Sequence, residues 1–104
     1  MEIIYNNIIP FENYKAINLF GICFVRNGFT MNKYDINHEL IHTAQMKELF
    51  YIFFYIWYLI EWLILFIKYK NSFIAYRNIR FEKEAYKHEK DLDYLNKRTK
   101  YNYI

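Results

Sequence analysis

The chain changes its hydrophobic rhythm at Asn32. Before it, short apolar runs alternate with polar breaks. "EIIY" (Glu2–Tyr5) and "NLFGICFV" (Asn18–Val25) are rich in β-branched and aromatic residues and read as strands, separated by Pro10. Asn27-Gly28 is a turn signal that could close a hairpin onto "FTM". Residues 1–31 therefore predict a small sheet or hairpin. After Asn32, a residue suited to capping a helix, the period becomes helical. Asp35 falls in the first turn, and Ile36, Leu40, Ile41, Ala44, Leu49 and Phe50 partly fit one stripe. This predicts a helix over 33–50. A second, fully apolar helix is expected over 52–70, and a charged one over 73–98, with "KRTKYNYI" fraying at the end. The expected fold class is α+β, a single domain over 1–104 with a small N-terminal sheet packed on about three helices.

The run from Leu49 to Ile67 decides much of the rest. It holds 19 residues with Glu61 as its only charge, close to the ~20 that span a bilayer. A helix apolar all round is buried or in lipid. A domain this small has too few elements to cover every side. Tyr51, Tyr55, Trp57, Tyr58 and Trp62 suit a lipid–water interface, and Lys68 and Lys70 suit headgroups. Residues 49–67 are therefore expected to meet a membrane surface, a hydrophobic partner or a second copy of the chain.

Composition narrows the classes. Aromatics make up 23% of residues against 2 Gly and 1 Pro, which excludes a disordered chain and a turn-rich β-sandwich. A net charge of +3, spread evenly, does not predict a nucleic-acid partner. Cys23 is the only cysteine, so neither a disulfide nor a cysteine zinc site is expected; a strand cysteine reads as a small core residue. Glu2, Asn6, Asn7, Glu12 and Asn13 break any early apolar run, so a secretory signal peptide is not expected and the predicted location is the cytoplasmic side of a membrane.

The candidate chemistry lies in "HELIH", His38 to His42. On a helix, residues i and i+4 share a face, so His38 and His42 can point two imidazoles at one ion. Glu39 stands where a general base would reach a water activated by that ion. A catalytic zinc needs a third protein ligand. Glu61, 19 residues after His42, and Glu82, 40 after it, are the candidates. In one unbroken helix Glu61 would sit about 28 Å from His42, at ~1.5 Å per residue. A break is therefore required, and "FYIFF" (Phe50–Phe54) is its predicted place, where aromatic and β-branched residues weaken helix propensity. With that break both glutamates reach the level of the histidines. The alternative for Glu61 is a buried pair with Arg77 or Arg80. Glu84, Lys83, Lys87 and Lys90 read as a solvated face, and His88 as a surface histidine.

"HELIH" followed by "FEKEAY" resembles the gluzincin zinc metallopeptidases. Glu82-Lys83-Glu84-Ala85 is similar to the Glu-x-x-Ala-Asp segment of their membrane-linked members, with Tyr86 in place of the Asp. The spacing from His42 to Glu61 is similar to that of a gluzincin aminopeptidase group. The whole stretch 18–98, with "INHELIHTAQMKEL", "FYIWYLIEWL" and "AYRNIRFEKEAY", resembles small single-domain bacterial HExxH proteins of the minigluzincin kind. The resemblance implies zinc held by His38, His42 and Glu82, Glu39 as catalytic base, and an extended peptide or protein substrate held along "NLFGICFV" as an edge strand. Tyr86, one turn after Glu82, reads as a packed tyrosine or as an oxyanion donor. The competing expectation is a membrane-associated structural or interaction protein without catalysis.

Overall fold

The structure is a computed structural model describing residues 1–10 and 14–104. The strand expectation over 1–31 includes residues 11–13, which lie outside the described residues. The α+β expectation holds: strands β1 (Glu2–Asn6), β2 (Ala16–Leu19) and β3 (Ile22–Arg26) precede helices α1 (Lys33–Glu48), α2 (Ile52–Tyr69), α3 (Ser72–Asn78), α4 (Arg80–His88) and α5 (Tyr94–Lys97).

The sheet order is β1-β3-β2, with β1 parallel and β2 antiparallel to β3. "NLFGICFV" is a hairpin rather than one strand. Its turn is Phe20-Gly21, both at positive φ (55° and 90°), the two-residue hairpin geometry that suits the twist of paired strands. Gly21 takes this conformation without strain. Phe20 does so with help: its N–H donates to the Tyr55 hydroxyl at 2.8 Å, and that hydroxyl donates to the Asn18 carbonyl. Asn27-Gly28 ends β3 instead of joining two strands.

Helix α1 starts as its capping residues predict. Asn32 accepts from the Tyr34 and Asp35 amides, and Asp35 reaches back to the Asn32 amide. Its break from α2 falls at Phe50 and Tyr51, both left-handed (φ 55° and 62°), at the leading edge of the predicted stretch. The chain reverses there because the Tyr51 amide returns to the Met46 carbonyl at 2.8 Å. Tyr51 and Tyr55 then pack beside Met46, Phe54 and Phe81.

The last helix departs from expectation. The single helix predicted over 73–98 is three. Ile79 is extended (φ −61°, ψ 133°) between α3 and α4 and fully buried in the aromatic core with Met46, Phe54 and Phe81. That burial stabilises the interruption. The C-terminus is not frayed either. Tyr103 is 7% exposed within the same core, and Arg98 bonds Glu48 and Glu84. Cys23 is fully buried, as its strand position predicts.

Candidate metal centre

The buried face of α1 is polar: Asn37, His38, Glu39, His42 and Gln45 lie inward with Ile41 and Met46. Such a face is costly unless every group finds a partner, and α4 supplies most of them. Glu82, in the first turn of α4, is 4% exposed. Its Oε1 lies 3.1 Å from His38 Nε2 and 3.0 Å from His42 Nε2, and the two nitrogens are 3.1 Å apart. Three donor atoms thus form a nearly equilateral triangle. Around a tetrahedral zinc with bonds of about 2.0–2.1 Å, the ligand-to-ligand edges measure about 3.3 Å. An opening of a few tenths of an ångström fits the ion.

The outer contacts aim these atoms. Gln45 Nε2 donates to the Phe81 carbonyl at 3.0 Å and to Glu84 at 2.9 Å, which orients the amide. Its Oε1 then accepts from His42 Nδ1 at 2.8 Å. A neutral His42 with its proton on Nδ1 leaves the Nε2 lone pair facing the triangle. His38 Nδ1 lies 3.5 Å from Glu89, which favours the same tautomer. The second oxygen of Glu82 accepts from the Tyr58 hydroxyl at 2.7 Å. Two lone pairs and a carboxylate oxygen therefore converge, a donor set that could hold a cation.

No protein family, curated protein or solved structure matches this chain.

The site's own electrostatics say what happens when the cation is a proton. Burial alone would lower the pKa of His42, but the Glu82 charge and hydrogen bond, with Glu39 and Gln45, push it up to about 9. Burial alone would raise Glu82; the two imidazoles outweigh it and hold the carboxyl well below its usual range. Glu39 goes the other way. Burial, with the Glu82 and Asp35 charges, raises it against the pull of the histidines. Its ligand atom lies within 4.8 Å of those of His38 and His42, whereas Glu82 touches both imidazoles, so Glu82 is the closer donor and Glu39 the flanking carboxylate.

Glu39 and His38 open onto a cleft of about 210 Å³ lined also by Tyr14, Lys15, Ala16, Tyr76 and Tyr86. Ala16 begins β2, the strand at the sheet edge beside α1. The ring of Tyr86 meets His38 edge-on at 4.5 Å, and its hydroxyl bonds Tyr76 at 2.9 Å. Tyr86 thus packs against a candidate ligand and lines the cleft.

Glu61 is not brought to the histidines. Its carboxylate accepts the Arg80 amide at 2.7 Å and Arg80 Nε at 2.8 Å. It caps α4 from another helix, since Arg80 is the first residue of α4 and its N–H has no partner within that helix. Arg80 is one of the two expected alternative partners, but the pair is not buried as expected: the Arg80 side chain is 43% exposed, and the contact doubles as a helix cap. Glu84 does not sit on a solvated face: it is 5% exposed and accepts from Gln45, Tyr94 and Arg98. His88 stacks on Tyr94 at 3.8 Å instead of standing free. Lys83, Lys87 and Lys90 are exposed, as expected.

Gln45, Tyr58, Tyr76 and Glu89 are site residues that sequence reasoning missed. Gln45 had a usable signal, standing three residues after His42 on the same helix face. Tyr58 and Tyr76 had none, because their place depends on how α2, α3 and α4 fold back.

Proposed function

We propose that the chain is a zinc-dependent peptidase of the gluzincin kind, with His38, His42 and Glu82 as ligands and Glu39 as the base. The observation that carries this reading is the convergence of two imidazole nitrogens and one carboxylate oxygen within 3.1 Å of one another, with a buried glutamate beside them at the floor of a cleft. Zinc held there supplies Lewis acidity, lowering the pKa of a water and polarising the scissile carbonyl. Glu39 takes the proton of the attacking water as the C–O bond forms, then delivers it to the amine as the C–N bond breaks. Burial raises its pKa above the ordinary carboxylate value, the direction that makes a carboxylate a stronger base. Tyr76 and Tyr86 line the cleft with their hydroxyls bonded to each other, which leaves one O–H of the pair to donate to the developing oxyanion. Ala16, at the start of edge strand β2, lines the cleft and would offer main-chain groups to an extended peptide, whereas the Asn18 carbonyl further along is already taken by Tyr55.

Metal analysis of the purified protein tests this directly. One zinc per chain is expected, lost in His42→Ala, and Glu39→Gln should keep zinc while losing peptide hydrolysis. Absence of stoichiometric metal, or hydrolysis indifferent to Glu39→Gln, overturns the reading.

A further inference from the structure

We infer that the outer face of α2 is a docking surface for an anionic lipid bilayer, with the helix lying along the membrane rather than through it. The helix runs Ile52–Tyr69 without a break, about 27 Å at ~1.5 Å per residue. Its inner side, through Phe54, Trp57, Tyr58 and Leu65, packs on the core. The opposite side carries only apolar groups. Phe53, Ile56, Ile60, Leu63, Ile64 and Ile67 recur at helical spacing and are each 46–74% exposed. A soluble monomer rarely presents so long an apolar stripe to water. Because one side of α2 is covered by the rest of the fold, lipid can reach only the other, which is the geometry of an interfacial helix.

The charges around this face identify its occupant. Lys68 and Lys70 are exposed at its C-terminal end, and Lys47 is exposed just before its start. Arg80 and Lys83 share a groove with Ile60 and Ile64 along its flank. The acids nearby are engaged: Glu61 is paired with Arg80, and Glu48 with Arg98. With Arg80 engaged by Glu61, the rim of the apolar face is basic through Lys83 on the flank and Lys68 and Lys70 at the C-terminal end, with Lys47 in the last turn of the preceding helix. A second copy would have to present the same patch to itself across a two-fold axis, setting lysine against lysine. Anionic headgroups reverse that repulsion into attraction.

Flotation of the purified protein with phosphatidylcholine vesicles, with and without phosphatidylglycerol, tests the inference. The protein should float with the anionic vesicles and be released by high salt. Ile60→Asp with Leu63→Asp should cut the bound fraction at least tenfold while the far-ultraviolet circular dichroism stays unchanged. Lys68→Gln with Lys70→Gln, which leaves the apolar face whole, should weaken binding to anionic vesicles about fivefold per lysine. Protein that stays in the aqueous phase with anionic vesicles overturns the proposal. So does a lipid-free dimer that the Asp pair dissolves and that does not float. Neither arm uses metal or turnover, so failure here leaves the peptidase reading standing, and failure of that reading leaves this one standing.

Discussion

Gln45 Oε1 lies 2.8 Å from His42 Nδ1, with the rest of its amide held by the Phe81 carbonyl and Glu84. This single fully buried side chain ties one candidate ligand to α4 and to the C-terminal ion pairs. Gln45→Ala should weaken zinc affinity 10- to 100-fold, the usual cost of losing an outer partner of a histidine ligand. It also strands buried polar groups, at about 1–3 kcal/mol. Competition against a chromophoric chelator reads the first effect and urea unfolding the second. An unchanged affinity would mean that His42 is aimed by packing alone.

The two candidate third ligands should separate cleanly. Glu61→Ala removes the cap of α4 and is expected to cost about 1 kcal/mol, mostly through the lost contact to the Arg80 amide. The Arg80 side chain is 43% exposed, so the ion pair itself adds little. Zinc content should stay at one per chain in Glu61→Ala and fall in Glu82→Gln, which keeps the side-chain shape but removes the anionic donor. Loss of zinc in the Glu61 variant alone would reverse the assignment.

Cys23, on the central strand, supplies a pH prediction. Burial raises its pKa to about 12 from an ordinary 9.0, and the charges of Glu39 and Asp35 add to it. The folded thiol therefore keeps its proton at pH values where the unfolded one releases it. Stability should be unaffected by this group below pH 9 and fall above it, by up to about 1.4 kcal/mol per pH unit. Urea midpoints from pH 7 to 10.5 should fall less steeply in Cys23→Ala. A thiol reagent at pH 8 should label the native chain only at its rate of opening.

The boundaries of α1 and α2 were legible because local chemistry sets them: an Asn32–Asp35 capping box begins the first, and an aromatic, β-branched stretch follows the first and starts the second. The polar interior was not legible. Hydrophobic periodicity reads apolar faces, and the buried face of α1 is built of Asn37, His38, Glu39, His42 and Gln45, which no such pattern reports. Glu84 illustrates the same limit. Flanked by Lys83 and Lys87, it looks solvated until Arg98 folds back over it. The turn of "NLFGICFV" was hidden for another reason: Phe20 is a poor residue for positive φ, and a support of its conformation, the Tyr55 hydroxyl, lies 35 positions later.

Arg98 should be the residue on which the C-terminal segment depends. It bonds Glu84 through Nε at 2.6 Å and Glu48 through Nη2 at 2.8 Å, and all three side chains are under 10% exposed. Arg98→Ala leaves two buried carboxylates facing each other without a cation, a change that typically costs about 3–5 kcal/mol. Arg98→Lys should recover only part of this, because one ammonium cannot reproduce the forked contacts of a guanidinium. The effect should also reach the metal centre. Without Arg98, Glu84 is drawn to protonate, its hold on Gln45 loosens, and the Gln45 contact to His42 loses its orientation. Zinc affinity in Arg98→Ala should therefore fall in the same direction as in Gln45→Ala but by less. Equal affinity in Arg98→Ala and the wild-type chain, measured below the unfolding transition of both, would show that the ion pairs hold the tail and nothing more.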